Sequence, residues 1–441
     1  MKKIITCLAI MLAMTTFAMA QTYSLEQCIE HAIANNLQIK MEEANRDSKA
    51  IDLNTARRSW LPNLNASADQ SFNFGRSTGA DNVTVNQNSA TTSLSLSTSM
   101  PLFTGFQITN DIKVKRYNVQ AAEESLKRAK ENIAIAVAQT FLDVLLRNEI
   151  CKISEENLSL TNESLKRTEI MVTAGQVPPA QLYEMKSQQA SDEAKLTSAK
   201  NELTIGMLTL AQLLELTEIE NFDIAAPPLD SAKLANEAIP SSANIYSDAL
   251  TAKPQIREAE LQLESSKATL KTAQSGHYPQ LSLNAGLSDG YYYQNSALVN
   301  EGFSTQMNGN LQEYVGVRLN IPIFNRFATR NNVRAARVGI AYQQLVLEDV
   351  KKTLYKEIQQ AYHNAVAAQK NYRAAQKSVE AAREAFRYAN TKYHTGKSSV
   401  YEFTEARTNL TRSLSEEAQA KFNYVFAVKI LNFYSGTTIT L

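Results

Sequence analysis

Hydrophobic and polar positions alternate strictly in four short stretches of this chain. Over residues 63–74 the even positions carry Leu64, Ala66, Ala68, Gln70, Phe72 and Phe74, and the odd ones Asn63, Asn65, Ser67, Asp69, Ser71 and Asn73. A second stretch sets Leu94, Leu96, Thr98 and Met100 against Ser93, Ser95, Ser97 and Ser99, and a third sets Leu281, Leu283, Ala285 and Leu287 against Ser282, Asn284, Gly286 and Ser288. The fourth sets Val315, Val317, Leu319 and Ile321 against Gly316, Arg318 and Asn320. A period of two marks strands with one apolar and one polar face, so strands are expected over 62–74, 92–102, 279–293 and 311–322. Each has roughly the ~9 to 11 residues of a tilted transmembrane strand, and Tyr291, Tyr292 and Tyr293 lie where an aromatic girdle would sit. A half-buried sheet in a soluble domain shows the same alternation. Small polar side chains on the second face favour a barrel with a watery interior. Four strands fall short of the about eight in the smallest closed barrels, so closure is expected from other subunits.

Elsewhere the pattern is helical. Proline-free helical spacing runs from just after Phe103 to about Thr173 and from just after Phe324 to about His394. At ~1.5 Å per residue each would extend on the order of 100 Å, far beyond a small domain. Val333, Ile340, Leu347 and Leu354 recur every seven residues. Ala365, Ala368, Tyr372, Ala375, Val379, Ala382, Phe386, Ala389 and Tyr393 then alternate small and large in steps of three and four. Phe403, Leu410, Tyr424 and Leu431 continue the seam beyond a turn, which predicts long helices packed as antiparallel coiled-coil pairs.

The chain is also two copies of one plan. Gln38-Ile39-Lys40 returns as Gln255-Ile256-Arg257 and Leu61-Pro62 as Tyr278-Pro279, at an offset of 217 residues. Met100-Pro101-Leu102-Phe103 returns as Ile321-Pro322-Ile323-Phe324, and Val172-Thr173-Ala174-Gly175 as Tyr393-His394-Thr395-Gly396, at 221. The first repeat is expected over 21–220 and the second over 241–441, joined by a linker at 221–240 in which Pro227, Pro228 and Pro240 interrupt regular structure. Each runs short helix, medium helix, two strands around a polar loop, very long helix, Gly turn, long helix.

Residues 1–20 read as a signal peptide: Lys2 and Lys3, an apolar stretch, then Ala18 and Ala20 before Gln21. With 45 basic and 44 acidic residues, the near-neutral chain carries no electrostatic footprint for nucleic acid. Past the signal, no run approaches the ~18 to 20 apolar residues of a membrane-spanning helix, so a membrane crossing would use strands. Cys28 and Cys151 could pair in an oxidising compartment, but the repeat aligns them with Ile245 and Tyr372, so two unpaired thiols in apolar packing are expected. His31, His277, His363 and His394 show no metal-ligand spacing, and no phosphate-binding Gly loop or nucleophile elbow is found. No cofactor, metal or enzymatic activity is expected.

The signal peptide, the doubled plan, the Pro-centred strand ends and the Gly turns together resemble the TolC family of outer-membrane efflux proteins. The resemblance covers nearly the whole mature chain. Its most telling stretch runs from Tyr393-His394-Thr395-Gly396 through Glu402-Phe403-Thr404-Glu405-Ala406, echoed over 172–186, with Phe433-Tyr434-Ser435-Gly436 near the end. The resemblance implies a mainly α protein with membrane β structure: a homotrimer whose copies give four strands each to a twelve-stranded barrel in outer-membrane lipid, continued by a coiled-coil α-barrel. It also implies a periplasmic adaptor (membrane fusion) protein and an inner-membrane pump as partners, with small molecules leaving through the shared duct.

By the same resemblance the turns at Gly175 and Gly396, with Tyr393, form the far tip, where the tunnel narrows and meets the adaptor. Glu402 and Glu405, six and nine positions after Gly396, take the places of that family's acidic entrance ring, and Glu184, nine after Gly175, adds to it. A spacing of three puts Glu402 and Glu405 on one helix face, and a charged ring enriches cations. Acidic residues near helix starts are also commonly plain solvated carboxylates. Tyr393 takes the tyrosine position of the family's closing latch, but Ser398 and Gln181 stand where its arginine and aspartate would be. The exit duct of a one-step protein secretion system and a periplasmic coiled-coil scaffold with a soluble hairpin sheet are the competing readings.

Overall fold

The computed structural model describes residues 21–78, 82–86, 88–217, 222–227, 239–295, 300–395 and 397–440. The expected signal peptide and Gly396 lie outside them, as does most of the linker. The elements in chain order are β1 (Gln21–Tyr23), α1 (Leu25–Asn35), α2 (Leu37–Arg58), β2 (Asn63–Asn73), β3 (Arg76–Thr78), β4 (Thr84–Asn86), β5 (Ser89–Phe103), α3 (Gln107–Thr173) and α4 (Pro179–Leu213). There follow β6 (Phe222–Ile224), α5 (Ser242–Ala252), α6 (Pro254–Ser275), β7 (Gln280–Gln294), α7 (Phe303–Gly309), β8 (Gln312–Asn320), α8 (Ala328–His394) and α9 (Val400–Tyr434).

The repeat is visible residue for residue. Helices α3 and α8 are both 67 residues long, and α4 and α9 both 35, each pair displaced by 221 positions. Helices α1 and α5 are both 11 residues and α2 and α6 both 22, displaced by 217. At ~1.5 Å per residue, α3 and α8 each measure about 100 Å. No described helix is long and apolar enough to cross a membrane.

The chain divides into two compact units, and each draws on both copies. One is built from described residues within Met1–Ala44, Glu124–Arg257 and Asp349–Leu441, the other from Asn45–Glu123 and Glu258–Glu348. The first is helical, with two related apolar cores. Leu25, Cys28 and Ala32 of α1 and Ile39 of α2 pack with Val137, Phe141 and Leu145 of α3, Leu210 of α4 and Val425 of α9. In the second copy Ile245, Ala249 and Ile256 pack with Leu354, Ile358, Ala365 and Leu431. Cys28 and Ile245 thus fill equivalent core positions, and Cys28 and Cys151 are both free and buried. Burial pushes the Cys28 thiol up to about 12, which leaves it inert at neutral pH.

The expected linker opens in regular structure. Its residues Phe222–Ile224 form β6, which pairs in parallel with β1, and Phe222 is buried with its ring 5.6 Å from that of Tyr23. An apolar residue able to reach the core outweighs the prolines that follow it.

The second unit carries one antiparallel sheet of order β2-β5-β7-β8. Strand β5 begins earlier than expected, at Ser89, and β7 reaches Gln294, where it continues the ladder with β5 through Ser89 opposite Gln294. Pro101 lacks an amide hydrogen, and the β5–β7 register shifts between it and Phe103. Beyond Ser288, β8 no longer covers β7, and the short helix α7 takes over. The Tyr292 N–H donates to Gln306 Oε1 and its carbonyl accepts from Gln306 Nε2, both at 2.9 Å, while Asn310 Nδ2 donates to the Gly290 carbonyl at 2.6 Å.

At the corners from strand to long helix, the backbone turns left-handed in both copies. Gly105 and Phe106 have φ of +61° and +66°, and the residues 221 positions later, Arg326 and Phe327, have +54° and +62°.

Candidate functional site

The ladder registers align one apolar face across all four strands. Leu64 stands opposite Thr98, Thr98 opposite Ala285 and Ala285 opposite Val315, while Leu96 stands opposite Leu287 and Met100 opposite Leu283, which faces Val317. Outer-strand members of this face are openly exposed, Val315 at 79 % and Leu64 at 69 %. An apolar sheet face of this size needs lipid or a partner to cover it. From Leu281 to Leu287 the band is about 20 Å along the strand at ~3.3 Å per residue, close to the ~25 Å band of outer-membrane barrels. Asp289 and Glu313 mark its end towards the loops.

The girdle expectation is corrected here. Tyr291 and Tyr293 share the face of Leu283 and Leu287, but Tyr292 lies on the opposite one, because consecutive strand residues cannot point the same way. Tyr291 is fixed edge-on by Phe303 of α7, ring centroids 5.2 Å apart.

The other face is polar from edge to edge, and Ser67 and Ser95 share a hydrogen bond at 2.8 Å across it. Strands β2 and β8 are the two outer strands, each with one side unpaired among the described residues.

At its C-terminal end, α3 finishes in a left-handed cap. Gly175 has φ +71°, its N–H donates to Val172 O at 3.0 Å, and the Gln176 N–H reaches back to Met171 O at 2.9 Å. The second copy repeats the last bond from Lys397 N–H to Lys392 O, at 2.9 Å. Ser399 caps α9 by accepting from the Glu402 N–H at 3.2 Å. The Glu402 carboxylate accepts from Ser398 Oγ at 2.7 Å and lies 3.4 Å from Lys392 Nζ. The Ser398 hydrogen bond, then the Lys392 charge, hold it below the usual carboxylate range. Glu405 and Glu184 are exposed. Ser398, at the latch arginine position, therefore serves Glu402, and the Gln181 N–H donates to Pro178 O at 3.1 Å in the first turn of α4.

Tyr393 does not fit the role of adaptor contact. It is only 5 % exposed, stacked on Phe403 at 4.7 Å, with its hydroxyl 2.9 Å from Thr168 Oγ1. Leu165, Met185 and Val400 complete this small core, which binds both helical hairpins together just behind the tip.

Behind it lies a buried charged cluster that the apolar pattern did not reveal. Arg407 and Asp192 are each 1 % exposed, and Arg407 Nη2 donates to Asp192 Oδ2 at 3.2 Å. Thr161 Oγ1 accepts from Arg407 Nη1 and lies 2.7 Å from Asp192 Oδ2, and Gln188 Nε2 donates to Asp192 Oδ1 at 2.9 Å. Burial pulls the Arg407 guanidinium down and Asp192 holds it up. The available signal was positional. Asp192 lies seven residues after the buried Met185, and Arg407 seven after the buried Val400, so both occupy the coiled-coil seam.

The profile of the outer membrane efflux protein family matches residues 28–215 and 245–437, one match in each copy and most of the chain in total. The chain belongs to that family. Among outer membrane efflux proteins, the outer membrane protein TolC of Escherichia coli is 22 % identical over 435 residues, covering 96 % of this chain and 84 % of TolC. The cation efflux system protein CusC of Escherichia coli is 23 % identical, covering 92 % of this chain and 84 % of CusC. The solved outer membrane protein VceC of Vibrio cholerae superposes with a TM-score of 0.75 at 16 % identity, over 94 % of this chain and 96 % of VceC. At such identity the superposition speaks for the fold, which this chain shares with the outer membrane efflux channels.

Proposed function

We propose that this chain is the subunit of an outer-membrane exit duct for small molecules, a conduit rather than a catalyst, and that three copies close one twelve-stranded barrel. The carrying observation is the two-faced sheet with an unpaired strand at each edge. Its apolar face fits lipid, its polar face fits water, and open edges are not tolerated in a bilayer. The long helices continue the duct into the periplasm, where a periplasmic adaptor and an inner-membrane pump complete the path. A soluble scaffold is disfavoured, since water would meet Val315, Val317, Leu319, Leu64 and Phe72 together.

At the tip, Glu402, Glu405 and Glu184 set a preference for cations. Lys392 offsets part of the Glu402 charge, so Glu405 carries more of the effect. Purified mature protein in a planar bilayer is expected to conduct, with a native mass of three chains. Glu405→Gln is expected to lower cation preference more than Glu402→Gln. A non-conducting preparation of confirmed trimers would sink the duct reading, and equal selectivity in both variants and the parent would leave these carboxylates as ordinary helix-start residues.

A further inference from the structure

We propose that the seam between copies is an antiparallel β8-to-β2 ladder in one defined register, pinned on its lumen side by an ion pair between Arg318 of one copy and Asp69 of the next. The inference rests on the closure reading above and adds which residues meet.

Alternating directions through β2, β5, β7 and β8 leave the two edge strands antiparallel, so β8 of one copy can join β2 of another in the ladder style of the rest of the sheet. Facing removes every second register. Apolar side chains are even-numbered in β2 and odd-numbered in β8, and a slip of one residue would turn an apolar row into the lumen. Length removes most of the rest. Only two face-matched registers seat all nine residues of β8 on the eleven of β2: Gln312 opposite Asn73 with Asn320 opposite Asn65, or Gln312 opposite Ser71 with Asn320 opposite Asn63.

Charge chooses between these two. Within the four strands, the polar face carries a single cation, Arg318, and a single anion, Asp69, one on each edge strand. Neither side chain has a hydrogen bond or ion pair among the described residues, and both are exposed, so each is free to meet an opposite charge across the seam. In the first register Arg318 lies opposite Ser67, and Asp69 is its diagonal neighbour on the same face, ~7–8 Å away and within reach of an arginine. In the second, Arg318 lies opposite Asn65 and Asp69 is out of range. The first register is also sound as barrel geometry. It carries the row that starts at Leu64 and reaches Val315 on to Gln70 of the next copy, a climb of six residues per copy. That is about 20 Å over four strands spaced about 19 Å in all, a tilt of roughly 45°, as transmembrane strands adopt.

The test uses full-length mature protein in detergent, its native mass measured first. On oxidation or with a short bis-thiol reagent, Asn65→Cys with Asn320→Cys is expected to give covalent dimers and trimers, and Asn63→Cys with Asn320→Cys to give few. Asn65→Cys alone controls for the buried native thiols. Separately, Asp69→Arg or Arg318→Asp is expected to lower the SDS-resistant trimer roughly fivefold, and the double exchange to restore it. Cross-linking of the Asn63 pair in preference to the Asn65 pair, or of neither in a trimeric preparation, overturns the register. Charge reversals without effect, or without rescue by the double exchange, overturn the ion pair. A monomeric parent overturns the closure reading itself and is seen before any variant is made.

Discussion

In the first copy of the chain Asp192, Lys186, Thr168 and Val172 stand where the second has Ser413, Arg407, Ala389 and Tyr393, on helices otherwise matched in length and spacing. The polar contacts between the hairpins use one member from each copy. Asp192 meets Arg407 and Thr168 meets Tyr393, whereas the equivalent positions offer a serine with a lysine and an alanine with a valine. A duplicated backbone was kept by heptad spacing while its interior diverged until each hairpin suited the other better than itself. The same contrast holds at the strand-to-helix corners, where the first copy has glycine and the second forces Arg326 into the same left-handed turn.

The comparison breaks most visibly at the charged pair. Arg407→Met leaves Asp192 buried without its main cation and is expected to cost about 3–5 kcal/mol, read as a lower thermal midpoint in detergent; Arg407→Met with Asp192→Leu should recover most of it. A single variant as stable as the parent would mean the pair does not join the copies. Gly105→Ala is expected to cost about 2–4 kcal/mol, since the new methyl would sit 2.7 Å from Tyr278 Cβ and 2.8 Å from Ser275 O at a positive φ. Thr168→Val strands the Tyr393 hydroxyl, with an expected loss of about 1–3 kcal/mol in denaturant titration. Arg326→Gly should stabilise by about 1 kcal/mol by relieving a left-handed non-glycine residue, and no gain would show that the corner is compensated elsewhere.

The smallest effect concerns Glu402. Because its carboxyl is held below the ordinary value, any stability it contributes is present above the unfolded value and is lost only as pH falls through the lower, folded one. Ser398→Ala removes the leading cause, so the acid end of the pH profile of cation preference should move up towards the usual glutamate range. An unmoved profile would mean Lys392 alone sets it.

Much of this architecture is legible in one sequence because the periods are long and clean. Twelve or so residues of strict alternation leave no competing reading for β2, and proline-free seams give the long helices almost to their ends. Five elements were too short to register. Strands β1, β3, β4 and β6 have three residues each and α7 has seven; β1 and β6 pair across the chain, β3 and β4 pair with each other, and α7 is tied to β7 by side-chain amides. The Arg407–Asp192 pair escaped because a count of apolar seam positions passes over charged ones, although a lone charge on a seam requires an opposite one nearby. Position along the chain sets Tyr393 near the tip, but it cannot say whether the ring turns outward or stacks inward on Phe403. Three consecutive tyrosines at 291–293 could not all have faced lipid, and the alternation that located β7 already contained that answer.

The amide of Gln306, folded back onto Tyr292, has a consequence for the traffic of newly made chains. A newly made chain exposes its strand margins, and any bare main chain there invites adventitious cross-strand adhesion. By occupying the projecting end of β7 with its own side chains, the molecule keeps that stretch of main chain from a wrong partner, so one fewer strand margin is open to mispairing before the membrane is reached.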